Sequence, residues 1–307
     1  MIGIVGPSAS GKSTVAFTLA QRAQQWSDGA GEIVSMDAFA LYRGMDIGTA
    51  KPPASQRNAI AHHQIDVLDI SQVASVARYQ QAARGDVDAI EKRGNTPIAV
   101  GGSGLYARAL FDRMEFPGTD PLVRERLMRE AESEGAEALY ERLRQVDPRA
   151  ANAVHPNNTR RVVRALEVIE ITGKPFTATL PSYEFARPAF LIGIRRDNDD
   201  LDARIERRTE AMFAEGFVDE VRHLMAQGLE HAPTASRATG YPSVINFIRG
   251  RCSEREARED VCLQTRRLVR RQIKWFRRDP RIHWVDATGY DDTQVADEAV
   301  RLTEMMR

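Results

Sequence analysis

The chain has 307 residues, 42% of them apolar and 28% charged, with 43 basic side chains against 43 acidic ones. That length carries one large domain, or one domain with an insertion, and a sizeable core. The charge balance leaves room for local basic patches. Cys252 and Cys262, with nine residues between them, match no zinc pattern and no disulfide framework, and no apolar stretch approaches transmembrane length. A disulfide-built or membrane-spanning chain is therefore excluded, and a reduced cytoplasmic protein is expected.

Ile2–Val5 reads as a short buried strand, so the chain enters its core almost at once, with no room for a signal peptide. Gly6-Pro7-Ser8-Ala9-Ser10-Gly11-Lys12-Ser13 follows and fits G-x-x-x-x-G-K-[ST] at every fixed position. Thr14 to Gln25 reads as the helix after the loop. Strand, glycine loop and helix start form a phosphate cradle. The glycines allow close approach, successive N–H groups converge, and the helix N-terminus adds positive potential. Lys12 brings a point charge to a terminal phosphate, and the Ser13 hydroxyl is placed for Mg²⁺.

Glu32–Ser35 is a second strand, with Asp37 just past its end. Strand carboxyl ends are where parallel α/β sheets handle ligands, so Asp37 is a candidate for chemistry; a turn-forming role is the plain alternative. Leu41 to Pro52 is too irregular for a helix and too polar for a strand, as functional loops often are. His62-His63 has no third ligand at useful spacing and is not read as a metal site. Ile65–Ile70 reads as a strand and Ser75–Lys92 as a helix. Thr96–Val100 is a buried strand, ending in Gly101-Gly102-Ser103-Gly104 and a further helix to Asp112. This second strand–glycine–helix junction offers Ser103 as a donor beside the phosphate loop.

Phe116–Pro121 breaks the alternation, and Leu122 to about Gly173 reads as helical and charge-rich. The expected organisation is a core over 1–115 and 188–307, interrupted by a helical insertion over 116–187. In the insertion, Asn158 or Thr159 caps a helix whose first two turns carry Arg160, Arg161 and Arg164. Cations there oppose the helix dipole, which suggests an anionic partner; ion pairing with Glu167 and Glu170 is the alternative. Phe190 falls in the returning strand, 188–194, followed by a helix over Leu201–Glu215 with Arg204, Arg207 and Arg208 along it. Phe217–Gln227 is another helix, and Arg237–Pro242 a loop. The helix from Glu254 to about Arg278 packs Arg266, Arg267, Arg270, Arg271, Lys274, Arg277 and Arg278 into thirteen residues, with Val269, Ile273 and Phe276 as its apolar stripe and Trp275 interleaved. With few acidic partners expected nearby, this is the footprint of a nucleic-acid backbone contact. Ile282–Val285 and a helix from Asp292 close the chain. The fold class is therefore α/β: a parallel sheet of the phosphate-loop NTPase kind, flanked by helices.

GPSASGKS, SMD with LYRGMDIGTAKP, HHQIDV, VGGSGLY, HPNNTRRVVRALE and RRQIKWFRR, in that order, resemble the bacterial tRNA dimethylallyltransferases across nearly the whole chain. The resemblance implies Mg²⁺-dependent transfer of a dimethylallyl group from its diphosphate to N6 of the adenosine 3′ of the anticodon. It implies Asp37 as general base, Lys12 and the loop residues Gly6 to Ser13 at the diphosphate, and Ser103, usually threonine in the family, touching both substrates. By the same matching, the tRNA path takes in Asp37, Ala38, Phe39, Ala40, Ser103, Arg124, Arg160, Arg161, Arg164, Arg237, Gly240, Tyr241, Arg270, Arg271, Gln272, Lys274, Trp275 and Arg277. The partners so implied are the tRNA anticodon stem-loop and dimethylallyl diphosphate; independently of the resemblance, a monomer with no membrane contact is expected.

The chain departs from the family pattern. Ala38-Phe39-Ala40 replaces the usual S-x-Q, Asn158 the usual aspartate after HPN, and Pro242-Ser243 the polar residue and glutamate after GY. Ala61-His62-His63-Gln64 stands for Pro-His-His-Leu. These changes bear on base recognition more than on phosphate handling. The rival readings are a small-metabolite kinase, prenyl transfer to free AMP or ADP, and a nucleotide-dependent RNA-binding switch. The first two have no need for the insertion or the basic helix, and the third has none for Asp37.

Overall fold

The computed structural model describes residues 1–114, 116–176 and 183–305. In chain order these form β1 Ile2–Val5, α1 Lys12–Gln21, α2 Ala23–Trp26, β2 Gly31–Ser35, α3 Ala54–Ala59, β3 His62–His63, α4 Val76–Lys92, β4 Thr96–Gly101 and α5 Gly104–Phe111. Then come α6 Pro121–Glu134, α7 Ala136–Val146, α8 Pro148–Ala153 and α9 Thr159–Thr172. The chain closes with β5 Phe190–Arg195, α10 Asn198–Ala214, α11 Phe217–Ala226, α12 Tyr241–Ile248, α13 Glu254–Phe276, β6 Ile282–Asp286 and α14 Asp292–Met305.

Two compact units result. One comprises Met1–Phe111 with Arg187–Arg307, the other Asp112–Ala186. The first holds a six-stranded parallel sheet in the order β3-β2-β4-β1-β5-β6. β1 and β2 are buried on both faces, as parallel strands covered by crossover helices must be, so they read as apolar runs without alternation. On one face Val15, Ala16 and Leu19 of α1 and Val295, Ala296 and Ala299 of α14 pack over Ile4, Ile33, Ile98 and Ile192. The order sets β2, β4 and β1 side by side, so the segments leaving their carboxyl ends converge. A Cβ on Gly101 would stand 2.4 Å from the Met36 carbonyl, so only glycine lets β4 leave the sheet against the Asp37 segment.

The second unit is a small helical core. Leu127, Leu139, Leu143, Val162 and Leu166 are its buried centre. Its α9 begins at Asn158, whose side chain accepts the Arg161 N–H at 3.2 Å.

Several expected elements differ. Ile65–Ile70 is not a strand; one bridge joins Leu68 to Tyr42, and the sheet edge is His62–His63. Asp66 is drawn off by Lys51 and Arg57 at 2.5 and 2.6 Å, with Gln64 and Asp66 both in left-handed backbone. The helix after the phosphate loop stops at Gln21 and restarts at Ala23. The loop expected over Arg237–Pro242 ends at Gly240, and Tyr241 opens α12 with Pro242 in its first turn, where a missing N–H costs nothing.

Candidate active site

The phosphate loop leaves β1 and closes at Gly11, whose φ of 93° suits glycine. Lys12 begins α1 and donates from Nζ to the Pro7 carbonyl at 3.2 Å. Burial lowers its ammonium from the ordinary 10.5 to about 8; Arg208 pushes the same way and Asp37 opposes. Lys12, Ser13, Asp37 and Arg208 line one cavity, whose apolar walls include Ile33, Phe39, Val100, Met212 and Phe217. Cations and a carboxylate thus share a space with a greasy wall, as a ligand with a charged head and an apolar tail requires.

Asp37 divides its oxygens. Oδ1 accepts the N–H groups of Phe39 and Ala40 at 2.8 and 3.3 Å and shapes the turn, so the turn-forming role is real. Oδ2 accepts nothing from the described residues and is left for chemistry. Ser103, after β4, accepts the Ala38 N–H at 3.4 Å through Oγ, which sets it against the Asp37 turn. Ala38 and Phe39 are half-buried, whereas Ala40 is buried.

Arg208 went unsingled among the three arginines of α10. Arg204 is bonded to Ala9 and Asp292, and Arg207 is exposed. Arg208 alone of the three faces this cavity, and it has no hydrogen bond or salt bridge among the described residues. Burial lowers its guanidinium and Asp37 opposes that. An unpaired, desolvated guanidinium beside a phosphate loop calls for an anion.

The loop from Leu41 to Pro52 walls the cavity. Glu220 holds it by accepting three successive N–H groups, from Asp46, Ile47 and Gly48, at 2.8, 2.6 and 3.1 Å. Tyr241 donates its hydroxyl to the same carboxylate at 2.7 Å. Fully buried, Tyr241 is thus a support for the loop, not an exposed contact. Nothing local in the sequence marks Glu220 for this.

Helix α13 splits its residues between two faces. Arg267, Arg271, Lys274, Arg277 and Arg278 are exposed and carry no ion pair among the described residues. Arg270 is paired to Asp202 at 3.0 Å, and Arg266 to Asp202 and Glu206. The expectation of few acidic partners therefore fails for that row, because α10 supplies them. Gln272 turns inward: it is buried, and its Oε1 accepts the Ser8 N–H at 2.8 Å. Trp275 is 41% exposed and lies over Gly104, where a Cβ would meet its ring at 2.1 Å; the Arg108 guanidinium stands 5.4 Å from its centroid.

Arg237 is exposed and Gly240 buried. In the helical unit, Arg160 and Arg161 are exposed. Arg124 and Arg164 are bound instead to buried Glu167, at 2.7 and 2.9 Å, and Arg164 also to the carbonyls of Pro117 and Gly118. The ion-pair alternative is thus what Arg164 adopts.

Asp37 is the one carboxylate among the described residues that line this cavity, and the Ser13 hydroxyl stands where a phosphate loop places its metal ligand. Among the described residues no cluster of three or more His, Cys, Asp or Glu could hold a metal alone. A hydroxyl completed by phosphate oxygens and water suits Mg²⁺, which is seldom held by protein groups only.

A phosphate loop, a free carboxylate oxygen and an unpaired guanidinium around one cavity, at the carboxyl edge of a parallel sheet, define a phosphate-ester-using α/β protein. The comparisons narrow this class. The family model described as IPP transferase matches residues 40–279, and the chain belongs to that family. A tRNA dimethylallyltransferase of Nocardioides sp. is 50% identical over 301 residues, covering 98% of this chain and 94% of its own. The crystal structure of a tRNA isopentenylpyrophosphate transferase from Bacillus halodurans matches at a TM-score of 0.69 and 35% identity, over 98% of this chain and 95% of that one. A eukaryotic dimethylallyltransferase captured acting on tRNA matches at 0.79 and 25%, over 99% and 77%.

Proposed function

We propose that the chain transfers a dimethylallyl group from dimethylallyl diphosphate to N6 of the adenosine next to the anticodon on its 3′ side, in tRNA. The bond from C1 of the prenyl group to the diphosphate oxygen breaks and a C1–N6 bond forms. The N6 proton passes to Asp37, and pyrophosphate leaves with its charge met by Lys12, Arg208 and the loop N–H groups. Adenine N6 is a poor nucleophile because its lone pair is delocalised into the ring, so a base at N6 addresses the slow part of the chemistry. Ser13 would hold Mg²⁺, which supplies further neutralisation of the diphosphate. Ser103 is suited to orient both substrates, and the target base leaves its stack to reach Asp37, at a cost of about a few kcal/mol. Exposed Arg160, Arg161, Arg237, Arg271, Lys274 and Arg277 suit the tRNA backbone.

One observation carries the reading: Asp37, Lys12, Ser13 and Arg208 line the same partly apolar cavity. A kinase would need none of the apolar wall against its transferred group. The test offers isotope-labelled dimethylallyl diphosphate with unmodified tRNA, with AMP, or alone. Isopentenylated adenosine recovered from tRNA only is the expected result. Label on AMP, or phosphoryl transfer from ATP with no prenyl product, would contradict it.

A further inference from the structure

The phosphate loop is braced by three charged side chains that the chemistry above does not use, two of which, Arg204 and Asp292, line a second cavity with Lys12 and Ser13. Asp292, the first residue of α14, sets its carboxylate against Gly11, where a Cβ would lie 2.5 Å from Oδ1. Arg204 of α10 donates from Nε to the Ala9 carbonyl at 2.7 Å and from its terminal nitrogen to both Asp292 oxygens at 2.7 and 2.8 Å. Arg196, just past β5, donates from Nε to the Ser10 carbonyl at 3.0 Å and from one terminal nitrogen to Asp292 Oδ1 at 2.9 Å. Its remaining nitrogen is taken by Asp200 and by the carbonyls of Ala287 and Tyr290, and only 1% of the side chain is exposed. One carboxylate thus orients two guanidiniums, and each guanidinium holds one of two successive loop carbonyls.

Two features make this more than packing. Carbonyls held outward leave the loop's N–H groups to face an anion. Ala9 has φ +65°, a conformation that a Cβ disfavours and that persists only where its surroundings fix it. The Arg204 bond to the Ala9 carbonyl is the polar contact that fixes it, beside the packing of Ala9 on Leu201, Ile205 and Val269.

We propose that Asp292 is a positioning residue for diphosphate binding. Through Arg196 and Arg204 it keeps the Ala9 and Ser10 carbonyls turned away and the loop preformed before the anion arrives. This rests on the diphosphate reading of the loop. Electrostatics alone gives the opposite sign: removing a carboxylate beside the loop leaves two guanidiniums uncompensated and should tighten an anion.

The test is calorimetric binding of inorganic pyrophosphate to the full chain without RNA, with a thermal melt for each variant. Lys12→Ala is the control for the site. If it binds pyrophosphate as the parent does, the diphosphate reading falls and this proposal with it. If it binds weakly, Asp292→Asn is read next, and its Kd should rise about tenfold. With Ala9→Gly already present, the same change should raise Kd about threefold or less, because glycine holds a positive φ unaided. Unchanged or tighter binding in Asp292→Asn, or an equal loss in both backgrounds, overturns the proposal while leaving the diphosphate site standing. Should Asp292→Asn not fold, Arg204→Lys keeps the charge but cannot bridge Ala9 and Asp292; weaker pyrophosphate binding there supports the proposal, and unchanged binding overturns it.

Discussion

The Ser8 N–H donates to Oε1 of Gln272 across 2.8 Å, joining the phosphate loop to the C-terminal part of α13. Beside it in the same helix, but pointing the other way, Arg271 and Lys274 stand exposed. A single rigid element therefore meets the diphosphate cradle with one face and offers bare cations with the other.

That division predicts unequal effects among neighbouring arginines. Arg271→Ala and Arg277→Ala should weaken tRNA binding and each reduce the slope of log K against log salt by about one. Arg270→Ala should do less, since Asp202 already neutralises Arg270. Equal slopes for all three variants and the parent would remove α13 from the RNA interface. Binding measured at several salt concentrations decides it.

Arg208→Ala should raise KM for dimethylallyl diphosphate by about 10- to 100-fold, the loss of one or two charge-assisted hydrogen bonds. KM for tRNA should hardly move. Arg207→Ala, one residue away and exposed, should change the diphosphate KM by less than about threefold. Steady-state kinetics on the two variants separates a cavity cation from a surface one.

Lys12 sets a pH limit on diphosphate binding. With its ammonium lowered to about 8, it is charged and ready below that pH and neutral above it in the free protein. Binding an anion above pH 8 must then take up a proton. Affinity for dimethylallyl diphosphate should fall as pH rises through 8, with a slope approaching about one log unit per pH unit. Lys12→Met should bind weakly with a flat profile. Calorimetry in buffers of differing ionisation enthalpy should detect the proton taken up.

Glu32 carries a stability prediction far from the cavity. Burial raises its carboxyl, but hydrogen bonds from Asn95, Arg93 and His63 prevail and lower it from the ordinary 4.5 to about 2. A folded-state value below the unfolded one contributes stability that is fully present above about 4.5 and is lost as pH falls toward 2. Glu32→Gln should lower the melting temperature at pH 7 by about a few degrees. The gap to the parent should close as the melts are repeated down to pH 2. A gap independent of pH would mean that packing, and not charge, is what the substitution removes.

Much of the site is legible in the residues themselves. G-x-x-x-x-G-K-S specifies a backbone shape as well as a composition, and Asp37 and Ser103 stand at strand ends, where parallel sheets meet ligands. Their convergence needed the strand order, which periodicity does not carry. Gln272 was readable in part: it falls three residues after Val269 and four before Phe276, on the buried stripe of α13. Its amide draws it toward the polar set, and the stripe wins. Arg208 was not readable, because three arginines on one helix look alike until the fold gives Arg204 to Asp292 and leaves Arg208 to the cavity. The apparent strand at Ile65–Ile70 fails because Lys51, 15 residues before Asp66 in the chain, claims its carboxylate.

The central claim is that Asp37 takes the proton of an amine alkylated in the diphosphate cavity. Asp37→Asn tests it most directly, since the amide keeps an Oδ1 acceptor for the Phe39 and Ala40 N–H groups and removes only the base. In single turnovers with dimethylallyl diphosphate and unmodified tRNA, transfer should slow by at least about 100-fold while tRNA still binds near its normal affinity. Transfer at the parent rate with tRNA bound normally would show that Asp37 is not the base.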